Sequence, residues 1–569
     1  MTSAELSPRR PFPRRAHDPA KARWGRLGRL PTPLLVTLCV LPLYGVWWAV
    51  FATGGGDLAA QEAWAEFAKM YPGSAYNLFW YGGLHTVNYS VISPYVMAVL
   101  GVVPVTLLSG LSSSWLAAAL VERSGLRRPL WPSLTVAFSL WCQVVSGRST
   151  FMLGTAFALG AVLAVVSGRR LVVAVVCAAL STMGSPVSGL FLLVVGAAHL
   201  LCREWGKAAS LVVPPVVVVA LTTLLFPFEG EQPMAFNRIW PPVILCAVIV
   251  LTAPRDWRVV RFGAAVYALG VVLCYLIASP IGTNVERLTE LAAPVTLLAV
   301  LVNGRERGEA DAPPERLSFT WFTPRRQRVG CVVALVLSLL WLSGKTIADI
   351  VTNTKVPDYA VKTEGVVAEL HRLGSERTRV EVVPARDHRE AAVLAPYVNM
   401  ARGWNRQADV ERGRLFYEGH SGTSVPAGTF SPASYRAWLS QWAVGFVVVV
   451  NGRPDGPAEL EHELVSSEPD YLERVWEDDN WKIYRVKDAT PLVSRPGSVV
   501  NSDGASLVVN MPKPGSVTVR VAYSPWLWAD NGCLAEDGEF TRLTVKKAGE
   551  VRLGSAYGGP SNGVTPECP

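Results

Sequence analysis

The stretch PLLVTLCVLPLYGVWWAVFAT, residues 33–53, carries no charged side chain. An α-helix needs roughly 20 mainly apolar residues to cross the hydrocarbon core of a bilayer, so this stretch predicts a transmembrane helix. Residues 1–32 before it are polar and rich in arginine, and no A-x-A-like cleavage site follows the apolar run. We therefore expect a retained membrane anchor behind a basic cytoplasmic tail.

Similar apolar segments recur throughout residues 33–348. The chain of 569 residues is 50% hydrophobic and 17% charged, whereas soluble proteins carry roughly 25% charged residues. Its mean hydropathy is +0.28. Composition and segment length together predict a polytopic α-helical membrane protein with about eleven transmembrane helices. The spans are predicted at about 33–53, 102–121, 130–146, 149–167, 170–184, 187–202, 208–227, 239–253, 262–279, 288–303 and 329–348.

Basic residues are distributed unevenly between the predicted loops. Loops on the side of the N-terminus contain clusters of arginine and lysine, while the opposite loops contain about one basic residue each. Because loops rich in Lys and Arg stay in the cytoplasm, we expect the N-terminus inside the plasma membrane. An odd number of spans then places residues 349–569 outside the cell. These clusters account for the net charge of +8, so the lipid bilayer and not nucleic acid is the expected partner.

The sequence of residues 349–569 is typical of soluble protein and has two parts. Within residues 349–490, an amphipathic segment at 361–374 and buried runs such as VGFVVVV (444–450) predict an extracytoplasmic α/β domain. Within residues 491–569, short alternating strands separated by Gly, Pro and Asn predict a small β-sandwich.

The chain has nine cysteines, and only Cys533 and Cys568 fall in the predicted outer part. An oxidising compartment permits a disulfide between them. Because Cys568 adjoins the end of the sequence, two free thiols are an equal alternative.

The first outer loop, residues 54–101, is too long for a simple connection, and a helix lying in the interface is expected at 59–70. Asp57 follows three glycines at the end of the first span. A carboxylate at the lipid–water boundary can have a raised pKa and act as a base. Asp57 could also be the N-cap of the following helix, which is the simpler interpretation of the residues alone.

Further candidate residues lie in the same loop. Trp80 and Tyr81 are followed by two glycines and by His85. The aromatic side chains could belong to an interfacial belt or stack on sugar rings. The spacing around His85 does not resemble a zinc site, so no metal is predicted.

Three arginines of the outer loops, Arg148, Arg238 and Arg287, have no topological explanation. A guanidinium can bind phosphate with two hydrogen bonds, or it can extend from a helix end towards the headgroups. The segment SPIGTNVERLTELAAP (279–294) is more polar than an anchor requires, since it places Asn284, Glu286, Arg287 and Glu290 before an apolar span.

The first span, a G-D-L sequence, an interfacial helix and a W-Y-G-G motif occur in that order, and this order resembles the GT-C superfamily of membrane glycosyltransferases. Within it, the chain resembles bacterial YfhO-like and "6-pyruvoyl-tetrahydropterin synthase-related" polytopic proteins. The residues that carry the resemblance are Gly56, Asp57, Leu58, Trp80, Tyr81, Gly82, Gly83, Tyr89, Ser90, Pro94, Tyr95, Ala98, Leu100 and Gly101.

The resemblance implies sugar transfer from a polyprenyl-phosphate sugar to a hydroxyl of a glycan or glycolipid, outside the membrane. Asp57 would be the base, and Arg148, Arg238 or Arg287 would hold the donor phosphate. His85, Trp80, Tyr81 and Glu286 are further candidates for substrate binding. Gln61 stands where relatives carry His, and Asp57 has no second acid beside it, so no cofactor is implied and a divalent metal is unsupported.

Two other functions are compatible with the sequence. A transporter or lipid flippase could use the same outer loops, although the spans contain almost no acidic residues for ion coupling. A non-catalytic envelope-assembly protein could bind a glycan through Trp526 and Trp528, for which packing in the core is the simpler interpretation.

Overall fold

The computed structural model describes residues 30–80, 82–168, 171–227, 230–304, 324–404, 410–418 and 425–557. All eleven segments predicted as spans form helices. The helices of the N-terminal part are α1 Thr32–Val46, α2 Asp57–Met70, α3 Thr86–Tyr89, α4 Ser93–Leu100, α5 Val102–Arg123, α6 Leu130–Val145, α7 Ser149–Val166, α8 Leu171–Gly184, α9 Pro186–Leu201, α10 Trp205–Leu225, α11 Trp240–Thr252, α12 Arg258–Leu276, α13 Glu286–Gly304 and α14 Pro324–Asn353.

Six helices of the described residues are long and apolar enough to cross a bilayer, and they identify a membrane protein. They are Thr32–Phe51, which continues α1 by a π-helical turn, and α5, α7, α10, α12 and residues 325–353 of α14. Helices α6, α8, α9 and α11 are apolar but shorter. The number of about eleven spans and the orientation of the two termini stay predictions.

Small residues allow the membrane helices to approach closely. A Cβ on Gly154 of α7 would lie 2.8 Å from the carbonyl oxygen of Ser181 in α8 and 2.7 Å from Oγ of Ser188 in α9. Within a bilayer, helix association depends on such close packing, because lipid is as apolar as the side chains. The contact fixes the junction between α8 and α9, where the chain turns at Ser185 and Pro186.

The C-terminal region begins with a mixed four-stranded sheet in the order β3-β4-β6-β5. Strand β4 is parallel to β3 and antiparallel to β6. Every residue of β4 is buried, since side chains pack on both faces of the sheet. Its elements are β3 Arg379–Val382, β4 Val444–Val450, β5 Leu472–Glu477 and β6 Trp481–Val486, with helices α15 Glu364–Arg372, α16 Arg389–Leu394, α17 Val410–Gly413, α18 Pro432–Gln441 and α19 Glu459–Ser466.

Two antiparallel sheets follow, in the orders β10-β13-β8-β7 and β11-β12-β9. Both sheets contribute to one apolar core, which includes Val509, Val551, Val517 and Leu543. The sequence prediction of a β-sheet region at the C-terminus is therefore confirmed, while its division into domains at residue 490 stays a prediction. The strands are β7 Ser498–Ser502, β8 Ser506–Met511, β9 Gly515–Val519, β10 Leu527–Ala529, β11 Cys533–Asp537, β12 Phe540–Val545 and β13 Gly549–Ser555.

The first loop, 54–101, is covered by this C-terminal region. It contains α2, α3, α4 and a two-stranded sheet of β1 Tyr76–Asn77 and β2 Leu84–His85. Tyr76 belongs to the core of the two C-terminal sheets, and the backbone N–H of Leu78 donates to the carbonyl of Gly504 at 2.8 Å. The loop therefore links the membrane helices to the β-sheet region.

Cys533 is disulfide-bonded, whereas the cysteines in or beside the predicted spans are free thiols. Cys568, its suggested partner, lies outside the described residues. The pairing of these two cysteines stays a prediction.

Candidate functional site

A cavity of about 880 Å³ lies where the first loop, several membrane helices and the C-terminal region meet. Its wall contains the start of α2, the start of α7, the turn between α8 and α9, the end of α10 and the start of α13. Trp404 of the C-terminal region also lines it. The cavity is therefore built from segments that are far apart in sequence.

Five of the residues predicted to act at the site line this cavity: Asp57, Arg148, Arg238, Glu286 and Arg287. They come from four separate loops, which the topology prediction expected to end at one membrane face. The structure brings them together around one volume, while their individual roles stay predictions.

Residues at the N-terminal ends of four helices line this volume. Asp57 is the first residue of α2 and Glu286 is the first of α13, while Arg148 and Ser185 directly precede α7 and α9. The first backbone N–H groups of a helix have no partner within the helix, and its dipole is positive at that end. The wall is therefore favourable to an anion.

Glu290 holds two of the cavity cations in place. It is buried, and one of its oxygens accepts from Arg148 Nη1 at 2.8 Å and from Gln143 Nε2 at 2.8 Å. Its other oxygen accepts from Lys345 Nζ. Lys345 also donates to Glu286 at 2.9 Å. This buried network fixes Arg148 and Lys345 at the cavity wall.

The remaining arginines are more loosely paired. Arg238 is half-exposed and lies 3.7 Å from Glu286. Arg287 lies 4.0 Å from Asp57, and its guanidinium carbon is 5.1 Å from the centre of the Phe151 ring. Together with Arg148 and Lys345, these give the cavity four cations against the two carboxylates of Asp57 and Glu286. Glu290, behind the wall, is a third carboxylate and pairs with two of these four cations.

Asp57 is not the N-cap of α2, because Gly56 occupies that position and no side chain caps the helix. The capping interpretation is wrong for this reason, and the carboxylate is left to face the cavity. Burial raises the pKa of Asp57, and Asp349 raises it further, while Arg287 and Arg148 lower it without cancelling the increase. The side chain is 35% exposed. Asp57 is thus an accessible carboxylate with increased basicity.

Trp80 and His85 do not line the cavity. Trp80 is 1% exposed and packs edge-on against Trp64, with ring centres 5.2 Å apart. His85 Nε2 lies 2.8 Å from Oγ of Ser524 in the C-terminal region, and burial lowers the pKa of His85 to about 4. Both residues connect the first loop to the region that covers it. Tyr81 lies outside the described residues.

Trp526 and Trp528, the two tryptophans of the β-sheet region, also pack against other parts of the protein. Trp526 Nε1 donates to the carbonyl of Leu225 at 2.7 Å, and its ring stacks on Phe226 with 4.8 Å between centres. Trp528 lies in β10 and contacts Gly554 of the neighbouring strand. Packing therefore accounts for both side chains.

The sequence reasoning assigned no functional role to Lys345, Gln143, Tyr89 or Trp404. Lys345 falls within α14, and a lysine in an apolar helix is itself a signal of function. Gln143 could be found only through its contact with Glu290.

One side of the cavity is apolar. It includes Val187, Leu190 and Leu193 of α9 together with Val216 and Val219 of α10. An apolar chain could lie against these residues with its polar end near the arginines. Among the residues that the structure describes, no group of three or more His, Cys, Asp or Glu is placed to hold a metal ion.

Comparisons with known proteins give two similarities. A family model described as a domain of unknown function (DUF8823) matches residues 494–569, whereas no curated protein matches the chain. Among solved structures, the chain is similar to the arabinofuranosyltransferase AftD from Mycobacteria, with 15% identity and a TM-score of 0.41. The match covers 87% of this chain and 42% of that one, so the chain spans less than half of the AftD chain. The family model includes part of the β-sheet region and none of the residues that line the cavity.

Proposed function

We propose that the chain is a membrane glycosyltransferase of the GT-C type, which transfers a sugar from a polyprenyl-phosphate donor to a glycan or glycolipid on the extracytoplasmic side. The observation that carries this proposal is the composition of one cavity wall. It combines the carboxylate Asp57, four cationic side chains and an apolar side. A polyprenyl-phosphate sugar needs a base for its acceptor, cations for its phosphate and apolar surface for its lipid.

The phosphate of the donor would lie among Arg148, Arg238, Arg287 and Lys345. Guanidinium groups bind phosphate oxygens through parallel charge-assisted hydrogen bonds, and the helix N-termini that end at the same wall add favourable backbone donors. Arg238 and Arg287 are the better candidates for direct contact, because their distances of 3.7 Å and 4.0 Å to carboxylates leave hydrogen-bonding capacity unused.

The polyprenyl chain would lie along the apolar side formed by α9 and α10. Valine and leucine side chains line the cavity there, and burial of apolar surface contributes roughly 25 cal/mol per Å². The cavity thus has a charged end for the phosphate and an apolar side for the lipid.

In the proposed reaction, Asp57 removes the proton from a hydroxyl of the acceptor. That oxygen forms a bond to the anomeric carbon of the donor sugar while the bond from this carbon to the phosphate oxygen breaks. The electron pair of the broken bond leaves with the polyprenyl phosphate, whose charge the arginines stabilise. The raised pKa of Asp57 suits a base, since a more basic carboxylate accepts the proton more readily.

The test compares washed membranes that contain the wild-type chain, Asp57→Asn or Glu66→Gln, each supplied with radiolabelled polyprenyl-phosphate sugars. Glu66 is a matched control because it lies on the same helix, is 42% exposed at its side chain and pairs with Lys69. We expect Asp57→Asn to lower transfer at least about 100-fold, the usual range for loss of a general base, and Glu66→Gln to leave it unchanged.

Transfer at the wild-type rate by Asp57→Asn would exclude Asp57 as the base. If the wild-type chain moves polyprenyl phosphates from one leaflet of a proteoliposome bilayer to the other but transfers no sugar from any donor, the protein is a flippase and the proposal fails.

A further inference from the structure

Trp404 lines the same cavity as Asp57, although it belongs to the C-terminal region. Its indole stacks on the imidazole of His388, with 3.4 Å between ring centres and 22° between ring planes. The imidazole of His388 is in turn 3.8 Å from the carboxylate of Asp455. The extramembrane part of the protein thus contributes a supported aromatic side chain to the cavity.

The segment that carries His388 is attached to the chain directly before Asp57. The backbone N–H of Gly56 donates to the carbonyl of Asp387 at 2.7 Å. Arg389 donates to the hydroxyl of Thr53 at 3.0 Å. Gly56 directly precedes Asp57, and Asp387 and Arg389 flank His388. These bonds therefore fix the stacked rings of His388 and Trp404 relative to the carboxylate of Asp57.

The segment that leads to Trp404 is attached to the first loop as well. The backbone N–H of Met400 donates to the carbonyl of Phe79 at 2.8 Å. A Cβ on Gly403 would lie 2.8 Å from the indole of Trp80, so the chain passes directly against that ring. The buried Trp80 thereby positions the residue that precedes Trp404.

A buried polar side chain of the cavity, Gln61, indicates a ligand with hydroxyl groups. Gln61 lies one helical turn after Asp57 on the same face of α2 and also lines the cavity. It is 3% exposed, and its amide nitrogen donates to Tyr89. Within the described residues its carbonyl oxygen has no hydrogen-bond partner. A buried acceptor left unpaired costs about 1–3 kcal/mol, and a ligand hydroxyl would satisfy it.

We propose that Trp404 and Gln61 form the subsite for a neutral sugar ring of the acceptor glycan. This inference rests on the proposed function of the cavity. The electron-rich face of an indole attracts the weakly positive C–H groups of a sugar ring, and the amide oxygen of Gln61 accepts from a ring hydroxyl. In the proposed function, the cations bind the phosphate of the donor, and the apolar side formed by α9 and α10 binds its lipid. A hydrophilic acceptor glycan would enter from the C-terminal region, which supplies Trp404.

The test measures binding and not turnover, so that it is separate from the test of transfer. Purified Asp57→Asn protein is mixed with mannohexaose, cellohexaose or arabinohexaose, and binding is followed by saturation-transfer NMR. Trp404→Ala, Trp404→Phe and Tyr397→Ala are compared in this background. Tyr397 is a matched control, since it is an aromatic residue of the same segment, is 51% exposed and does not line the cavity.

We expect at least one hexasaccharide to bind, Trp404→Ala to weaken it about tenfold, and Trp404→Phe to weaken it less. Tyr397→Ala should have no effect. Binding of undecaprenyl phosphate, measured on the same samples, should be unchanged in Trp404→Ala, which also checks that this variant is folded.

Three results would overturn the subsite: no binding of any hexasaccharide, equal binding by Trp404→Ala and Tyr397→Ala, or loss of undecaprenyl phosphate binding in Trp404→Ala. If the wild-type chain transfers no sugar while Trp404→Ala still loses glycan binding, the proposed function fails and the glycan subsite stands.

Discussion

Nη2 of Arg287 lies 4.0 Å from Oδ2 of Asp57. At this distance the two charges attract each other without forming a hydrogen bond. The face of the Arg287 guanidinium is supported by the ring of Phe151, so the group is held beside the carboxylate with hydrogen-bonding capacity to spare. A phosphate bound to Arg287 would therefore lie next to the base that activates the acceptor.

The pH dependence of transfer tests this relationship. Because burial raises the pKa of Asp57, protonation on acidification starts at a higher pH than for an exposed aspartate, whose pKa is about 3.9. Since the base acts only when deprotonated, kcat/KM should fall as pH falls through this raised pKa. Arg287 lowers the pKa of Asp57, so Arg287→Gln should move the acidic limb to higher pH. A limb that stays in place or moves to lower pH would contradict the coupling.

Arg238 should contribute to donor binding and little to stability. Its side chain is 48% exposed and 3.7 Å from Glu286. Because Lys345 lies 2.9 Å from the same carboxylate, Glu286 keeps a cationic partner when Arg238 is removed. Loss of a charged hydrogen bond to phosphate costs about 1.5–3 kcal/mol, so Arg238→Gln should weaken binding of undecaprenyl phosphate at least about tenfold. Native mass spectrometry in nanodiscs measures this affinity. Arg474→Gln, at an exposed pair outside the cavity, is the control, and equal affinities for the two variants would remove Arg238 from the phosphate site.

Glu290 should be needed for stability. Its carboxylate is buried and pairs with both Arg148 and Lys345. Removal of one partner from a buried ion pair costs about 3–5 kcal/mol, because charges remain buried without compensation. Glu290→Gln should therefore lower the thermal unfolding temperature of the purified protein markedly. Glu477→Gln, which breaks an exposed pair with Arg474, should lower it only slightly, and a similar small effect for both variants would contradict the structural role of Glu290.

Arg389 should hold the C-terminal region against the membrane part. It is 3% exposed and donates to the carbonyls of Thr53 and Asn353, at the ends of the first and last membrane helices. Arg389→Ala should loosen this junction and speed tryptic cleavage after Lys355, which is exposed directly beyond α14, at least about tenfold. Arg386→Ala removes a half-exposed partner of Asp455 nearby and should leave the cleavage rate unchanged. Equal rates for the two variants would assign the junction to other contacts.

Much of the membrane part could be predicted from the sequence. Segments such as 33–53 can be recognised because a helix that crosses a bilayer must be long and uncharged. Each predicted span is helical in the structure. The meeting of Asp57, Arg148 and Arg287 at one cavity follows from the same topology, since alternate loops must end at the same face.

Other parts of the site depend on contacts that no local pattern records. The sequence does not show that the C-terminal region covers the first loop. Trp80 was therefore interpreted as a belt or sugar-stacking residue and His85 as a binding residue, whereas both contact the C-terminal region. Asp57 resembled an N-cap because the sequence does not reveal that Gly56 occupies the N-cap position of α2. Trp404 enters the cavity only through the docking of a distant segment, which periodicity and composition do not encode.

The central claim, that Asp57 activates the acceptor beside a bound donor phosphate, is tested most directly by single-turnover transfer in proteoliposomes that contain only the purified protein. Donor affinity and the rate of product formation are measured on the same samples of wild type, Asp57→Asn and Glu66→Gln. The proposed chemistry predicts that Asp57→Asn binds the donor at least as tightly as wild type does but forms product at least about 100-fold more slowly, while Glu66→Gln matches wild type. Product formation by Asp57→Asn at the wild-type rate, with donor bound, would contradict it.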